Sequence, residues 1–153
     1  MLELPHVAVG AAIAVQTGNP LIFLPLAFLS HFLVDFIPHW NPNIYNEIKK
    51  FGKVSLKSNL IIIIDILLSL TFGLTIAMRF WPDTSRAIFF LLACFLAVLP
   101  DVIEAPYFYL KCKYPVLEKI IDFQRKHQGK TTMLLGLLIQ MAVLIICFYL
   151  IFI

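Results

Sequence analysis

Residues 59–80 read NLIIIIDILLSLTFGLTIAMRF, an apolar stretch whose charged residues are Asp65 and Arg79. A helix needs about 20 mostly apolar residues to cross the hydrocarbon core of a bilayer, so this stretch predicts a transmembrane helix. The 153-residue chain agrees, since it is 61% hydrophobic and 14% charged. A soluble domain has roughly 45–50% apolar and about 25% charged residues. The composition therefore predicts a polytopic membrane protein and argues against a water-soluble globule.

Other apolar stretches lie on both sides of this helix in the sequence. Three of them are long enough to span a bilayer, namely residues 21–39, 87–109 and 131–153. A shorter apolar segment, residues 7–15, precedes them and closes at the turn signal Thr17-Gly18-Asn19-Pro20. We therefore predict an all-α integral membrane protein, a single transmembrane helical domain over residues 1–153. Its bundle has four full transmembrane helices plus a short N-terminal helix or hairpin.

Basic residues concentrate in two of the predicted loops. Ten of the twelve Lys and Arg residues lie in residues 41–57 and 107–130. The positive-inside rule predicts that both loops are cytoplasmic. Apolar residues recur at helical spacing within both loops, as at Ile44, Ile48 and Phe51. This pattern predicts short interfacial amphipathic helices, and solvated connecting helices are the alternative.

Polar side chains within the predicted spans are the main functional signal. A charge at the centre of a span costs roughly 2.5–3.5 kcal/mol on insertion scales, so such residues mark sites by default. His31, Asp35 and His39 are spaced four residues apart, which puts them on one face of a helix. Pro38 is expected to bend or end this helix, which would leave His39 just beyond it but still near the group. Asp101 and Glu104 share a face near the same end of a later span. The sequence thus predicts that these residues meet in one layer of the membrane.

Imidazoles and carboxylates together are the ligands that zinc, manganese or iron would use. We predict one or two divalent ions, zinc first, in a two-metal arrangement if there are two. The predicted ligands are His6, His31, Asp35, His39, Asp101 and His127. Asp65 or Glu104 would bridge the ions or act as the general base. The alternative is a set of hydrogen-bonded His–Asp pairs without metal. Gln140 either supports a ligand or makes an interhelical hydrogen bond, and we favour the hydrogen bond.

Several short motifs resemble those of the small, multi-spanning, membrane-bound metal-dependent hydrolases. That family has an N-terminal His, a span ending in Asp with Pro and His nearby, a Leu-Pro-Asp segment and a late His-x-Gly-x-Thr-His segment. Here the corresponding residues are Pro5-His6, SHFLVDFIPHW at 30–40, LPD at 99–101 and HQGKTT at 127–132. The resemblance covers most of the chain. It implies a multi-spanning inner-membrane protein with a metal-dependent hydrolytic activity.

The chain departs from the family pattern at three positions. The second late His of the family falls on Thr132, and the acid and His after the Leu-Pro-Asp segment fall on Ile103 and Glu104. If metal binds, Glu104, His39 or His31 must replace the ligands that these positions lose.

The expected activity is hydrolysis of a membrane-embedded or interfacial substrate, a lipid phosphoester above all. Lys126 and Lys130, beside the predicted ligand His127, would hold an anionic headgroup. These lysines could equally serve only to set the topology of the chain. Membrane lipid is therefore the expected partner, and the sequence is compatible with an oligomer.

Two other functions remain open at this stage. Intramembrane His and Asp also build proton relays and metal-ion pathways, although here they gather at one end of the bundle. A metal could instead only staple short helices in a structural membrane protein. Nucleic-acid or nucleotide binding is not expected. Gly129-Lys130-Thr131-Thr132 echoes the end of a phosphate-binding loop, but Gln124 stands where its leading glycine belongs.

Overall fold

The computed structural model describes residues 1–153 and contains only helices, turns and irregular segments. The seven α-helices are α1 (Glu3–Thr17), α2 (Pro20–Asp35), α3 (Ile44–Phe51), α4 (Leu56–Ala77), α5 (Thr84–Tyr109), α6 (Pro115–His127) and α7 (Met133–Phe152). A short 3-10 turn, Met78–Phe80, extends α4. The all-α prediction is confirmed.

Three helices, α4 with its 3-10 extension, α5 and α7, are long and apolar enough to cross a membrane. The prediction of four full spans is not confirmed, because α2 has only 16 residues. At 1.5 Å per residue it is about 24 Å long, short of the roughly 30 Å hydrocarbon core. The helix ends at Asp35 because Pro38 disfavours helical geometry at Ile37. His39 therefore lies in the loop after α2 rather than on the helix.

Helix α1 is the centre of the bundle. The sequence predicted a short N-terminal helix or hairpin, and the structure has one straight helix that contacts α2, α4, α5 and α7. Its side chains are small, and Ala8, Ala11, Ala12 and Ala14 are all buried. Small residues let helix backbones approach closely inside a membrane, where packing drives association. This composition is why a 15-residue helix fits among four longer neighbours.

Gly10 marks the closest approach of α1 to α5. A Cβ at Gly10 would lie 2.8 Å from Cβ of Ala97 and 3.0 Å from the carbonyl oxygen of Ala93. We expect Gly10→Ala to reduce the free energy of unfolding by about 1–3 kcal/mol through overpacking, read as a lower Tm in detergent. Gly73→Ala is the matched control, because its Cβ would meet no atom nearer than 3.9 Å. Equal Tm values for the two variants would contradict this packing.

Helices α3 and α6 lie in the two basic loops, where short helices were predicted. The Glu47 carboxylate of α3 accepts hydrogen bonds from the Ser55 backbone N–H at 2.7 Å and the Ser58 hydroxyl at 2.7 Å. These bonds hold the pKa of Glu47 below its usual value, so their contribution to stability is lost as the pH falls through that lowered pKa. They tie α3 to the start of α4. On its other side α3 meets α6, because the Arg125 guanidinium stacks 3.4 Å from the Tyr45 ring centre.

Candidate metal centre

Asp35 is the centre of a buried group of histidines. Its Oδ1 lies 3.3 Å from Nε2 of His6 and 3.8 Å from Nε2 of His39. Its Oδ2 lies 3.8 Å from Nε2 of His31. Asp101 completes the group, with Oδ1 3.6 Å from Nε2 of His31. We call these five residues, contributed by α1, α2, α5 and the loop after α2, the His–Asp cluster.

Three ligand atoms of the cluster lie close enough together to hold one metal ion. In His6, His31 and Asp101 they all lie within 4.8 Å of one another, so this buried group could hold a metal. Two ligands about 2.1 Å from a tetrahedral zinc ion stand about 3.4 Å apart. The distances from Asp35 to the three imidazoles, 3.3 to 3.8 Å, are close to that value. Small side-chain movements would complete the coordination.

Two of the imidazoles are held with Nε2 facing the carboxylates. Nδ1 of His31 donates to the Ala97 carbonyl at 2.8 Å, and Nδ1 of His39 donates to the Ile37 carbonyl at 2.8 Å. A carbonyl only accepts, so each Nδ1 carries the proton, and the other ring nitrogen faces Asp35. Backbone carbonyls hold metal-binding histidines in this way. Burial is the main reason why the pKa of His39 lies below its ordinary 6.5, which favours a neutral ring with a free lone pair.

His31 makes one further contact that matters for metal binding. Its Nε2 lies 3.0 Å from Oε1 of Gln124, whose amide nitrogen donates to Glu104 at 2.5 Å. A metal ion on Nε2 of His31 would take the place of this contact, so the Gln124 amide would have to move aside when the site is loaded.

His6 is the clearest sign of an incomplete site. Its side chain is fully buried, and neither ring nitrogen makes a well-aligned hydrogen bond, although Nε2 lies 3.3 Å from Oδ1 of Asp35. The ring stacks on His31 with the centroids 4.2 Å apart. A buried polar group without a partner costs about 1–3 kcal/mol, and a metal ion on Nε2 would remove part of that cost. The donor set and the unpartnered His6 therefore fit a divalent ion. Asp35 also pairs with the Met1 ammonium, which lies 2.5 Å from its Oδ1.

The two predicted catalytic carboxylates have different surroundings. Asp65 accepts hydrogen bonds from the backbone N–H groups of Glu3 at 2.5 Å and Leu4 at 3.2 Å. It therefore satisfies free donors at the start of α1, which explains an acid inside an apolar span. Glu104 is bonded through Oε1 to Gln124. Both carboxylates line the cavity described below, and their catalytic roles stay predictions.

The structure does not bring every predicted residue to the cluster. His127 ends α6 with its ring exposed, Nδ1 donating to the Phe123 carbonyl at 2.7 Å and the ring against Phe36 and Phe123. The neighbouring Gln128 reaches the cluster instead, donating to Oδ2 of Asp35 at 3.2 Å. Lys130 lines the cavity beside the cluster, whereas Lys126 is exposed and outside that lining.

Three glutamines support the site, and sequence reasoning missed two of them. Gln124 and Gln128, four residues apart at the end of α6, contact the cluster directly. Their spacing was the one available signal, since it puts both amides on one helix face. Gln140, predicted to make an interhelical hydrogen bond, instead joins α7 to the residue before α1 and to the loop after α2. It accepts from the Leu2 backbone N–H at 2.9 Å and donates to the Trp40 carbonyl at 2.9 Å.

A cavity of about 860 Å³ opens beside the cluster, between α4 and α5. His39 and Asp101 lie on its wall, while His6, His31 and Asp35 lie behind that wall. The polar end is lined by Glu3, Asn41, Asn43, Asp65, Glu104, Arg125, Gln128 and Lys130. A metal held by the buried imidazoles would have an open side facing this space. That feature distinguishes a catalytic site from a closed structural one.

Comparisons with known proteins add no further information about the site. No protein-family model, curated protein or solved structure matches this chain. Function is therefore inferred from the residues and geometry described above.

Proposed function

We propose that this chain is a membrane-embedded, metal-dependent hydrolase. The observation that carries the proposal is the convergence of three imidazole Nε2 atoms, from His6, His31 and His39, within 3.8 Å of Asp35. A buried carboxylate and histidine set of this kind suits a divalent ion, zinc before manganese or iron. The motifs that resemble the membrane-bound metal-dependent hydrolases support the same activity.

The cavity supports a catalytic rather than a structural metal. A divalent ion held by His6, His31 and Asp101 would act as a Lewis acid and would lower the pKa of a bound water. His39 and Asp101 hold the cavity side of the site, so a substrate in the cavity would approach from there. A metal that only stapled helices would need no such space. With a metal bound, the site would hydrolyse an ester held at the polar end of the cavity.

Glu104 is our choice for the general base. Its carboxylate lines the cavity and uses only Oε1 in its hydrogen bond with Gln124. Because Gln124 also contacts His31, this amide fixes the base relative to the metal-binding ring. Asp65 is the weaker choice, since both of its oxygens accept backbone hydrogen bonds from α1. Glu104 would take a proton from the attacking water, and Gln124 is a positioning residue.

The substrate class we propose is a lipid phosphoester. Helices α4 and α5 are both long and apolar enough to span a membrane. The cavity between them would therefore face lipid along its apolar part and the polar end of the bundle along the rest. Lys130 contributes positive charge to the cavity lining. The positive-inside rule supports a cytoplasmic position for the basic loops, in a prokaryotic-type inner membrane, and hence for the site.

Metal content is the experiment that tests this proposal first. Elemental mass spectrometry of detergent-purified protein is expected to find one or two equivalents of a transition metal. The His31→Ala/Asp35→Ala double variant is expected to lose it. Asp122→Asn is the control, because Asp122 is an exposed acid that pairs only with Arg125. Folded protein that stays metal-free after supplementation would overturn the hydrolase proposal and direct the work to proton transport.

The His127→Ala variant tests whether His127 is a metal ligand, as the sequence predicts, or lies outside the site, as its contacts indicate. His127 was predicted as a ligand, but its ring lies against Phe36 and Phe123, away from the cluster. We expect this variant to keep its metal equivalents within error. Loss of metal in His127→Ala, with the Tm unchanged, would show that the cluster described above is not the complete site.

A further inference from the structure

We propose that the cavity between α4 and α5 is a lipid-binding groove that takes one hydrocarbon chain of an anionic phospholipid, whose phosphate binds Arg125 and Lys130. This inference deepens the proposed function and rests on it for the identity of the reacting ester. Binding itself needs no turnover, so it is testable separately.

The apolar part of the groove runs along two helix faces. On α4 the lining residues Ile62, Ile66, Leu70 and Gly73 recur every three or four positions, and Leu74 adjoins the last of them. On α5 the matching residues are Leu91, Phe95, Val98 and Val102. The α4 face alone covers about 18 Å at 1.5 Å per residue, which suits an extended chain rather than a compact ligand. Val7 of α1 forms the floor.

The groove opens sideways toward the hydrocarbon of the bilayer. Leu70 and Leu74 on one wall are 55% and 53% exposed, and Phe95 on the other wall is 47% exposed. An enclosed cavity would bury these residues. A hydrocarbon chain can therefore enter from the bilayer without crossing water, and the rest of the lipid stays among its neighbours.

The polar end of the groove carries the cations that a phosphate needs. The Arg125 guanidinium lies 3.4 Å from the Tyr45 ring centre, which holds its plane in a fixed orientation. A planar guanidinium offers paired N–H donors that match phosphate oxygens. Lys130 lines the same end. Because successive residues of a helix differ by about 100°, Arg125 faces the groove while Lys126 does not.

Carboxylates share the polar end of the groove with these cations. Glu3, Asp65, Asp101 and Glu104 all line the groove. They repel an anion unless a divalent ion lies in the His–Asp cluster. The phosphate therefore binds beside Arg125 and Lys130, and more tightly when the protein is loaded with metal. An uncharged headgroup would gain nothing from either feature.

Native mass spectrometry of the detergent-solubilised, zinc-loaded protein tests the headgroup part. Oleoyl lysophosphatidic acid competes with monooleoylglycerol, which has the same chain and no phosphate. We expect at least about tenfold preference for the phosphate lipid, since charged hydrogen bonds are strong. Arg125→Gln is expected to remove most of this preference. Lys119→Gln, an equal charge change at an exposed position of α6, is expected to retain it.

A second pair of variants tests the chain part. Gly73→Leu adds volume inside the groove, where the nearest atoms to a new Cβ are 3.9 Å away. We expect it to weaken binding of both lipids about equally. Leu68→Phe adds volume on the exposed face of α4, outside the groove, and is expected to bind both lipids normally.

Equal binding of the two lipids by the unaltered protein would overturn the proposal. So would an unchanged preference in Arg125→Gln, or normal binding by folded Gly73→Leu. Metal content measured on the same samples separates the two proposals. Folded protein that takes up no metal but prefers the phosphate lipid in an Arg125-dependent manner would overturn the hydrolase and leave the groove standing.

Discussion

Asp35→Asn is expected to lower the metal affinity of the protein by more than about 100-fold, the upper end of the loss seen for groups that only support a ligand. The side chain keeps its shape, so the loss reports charge and ligand chemistry rather than a packing defect. Asp35 is the one carboxylate that faces His6, His31 and His39 together. An amide nitrogen in its place would point a donor at imidazole nitrogens that must themselves bind the metal.

Competition with a chelator of known zinc affinity measures this change. Asp122→Asn makes the same chemical change at an exposed site and is expected to bind zinc normally. Hydrolysis of phosphate-lipid vesicles by Asp35→Asn should fall to the level of protein stripped by chelator. Unaltered zinc affinity in Asp35→Asn would mean that the histidines meet around this carboxylate for structural reasons alone.

Much of the His–Asp cluster could be predicted from the sequence. The high cost of charges in apolar spans singled out Asp35 and Asp101, and the four-residue spacing put His31 on the face of Asp35. His39 joined the group for a different physical reason. Pro38 ends α2 early, and the chain then turns His39 back toward the helix end. The sequence thus indicated both the partner and the early end of its helix, because Pro38 is visible in the sequence.

Other features of the site depend on contacts between distant residues, which periodicity does not specify. A lone acid within a span predicts a site, but it does not predict which residues the acid contacts. Asp65 contacts the start of α1 at Glu3 and Leu4, which lie 62 and 61 positions away in the sequence. The central position of α1 also escaped prediction, because small apolar residues suit a core helix and a peripheral hairpin equally. His127 was chosen for its residue type, whereas the neutral amide of Gln128 reaches Asp35.

Gly129→Ala is expected to disturb the metal site by displacing the backbone, without changing any ligand side chain. A Cβ at this position would lie 2.5 Å from the Phe36 carbonyl oxygen and 2.9 Å from the Ile37 carbonyl carbon, and these backbone atoms cannot move aside like a side chain. The same segment is held by hydrogen bonds from the Gly129 N–H to the Asp35 carbonyl at 2.8 Å and from the His39 N–H to the Gly129 carbonyl at 3.1 Å. The added methyl must therefore push the segment around Gly129 away from the backbone of residues 35–39.

Separation would carry Gln128 and His39 away from the Asp35 carboxylate, which each of them now approaches. We expect a loss of about 1–3 kcal/mol in the free energy of unfolding and roughly tenfold weaker zinc binding. Tm in detergent and chelator competition measure the two effects. Gly73→Ala, which has room for its methyl, should show neither. A Gly129→Ala protein with normal Tm and zinc affinity would mean that the loop before α7 does not hold the site, and that the buried ligands of α1, α2 and α5 suffice.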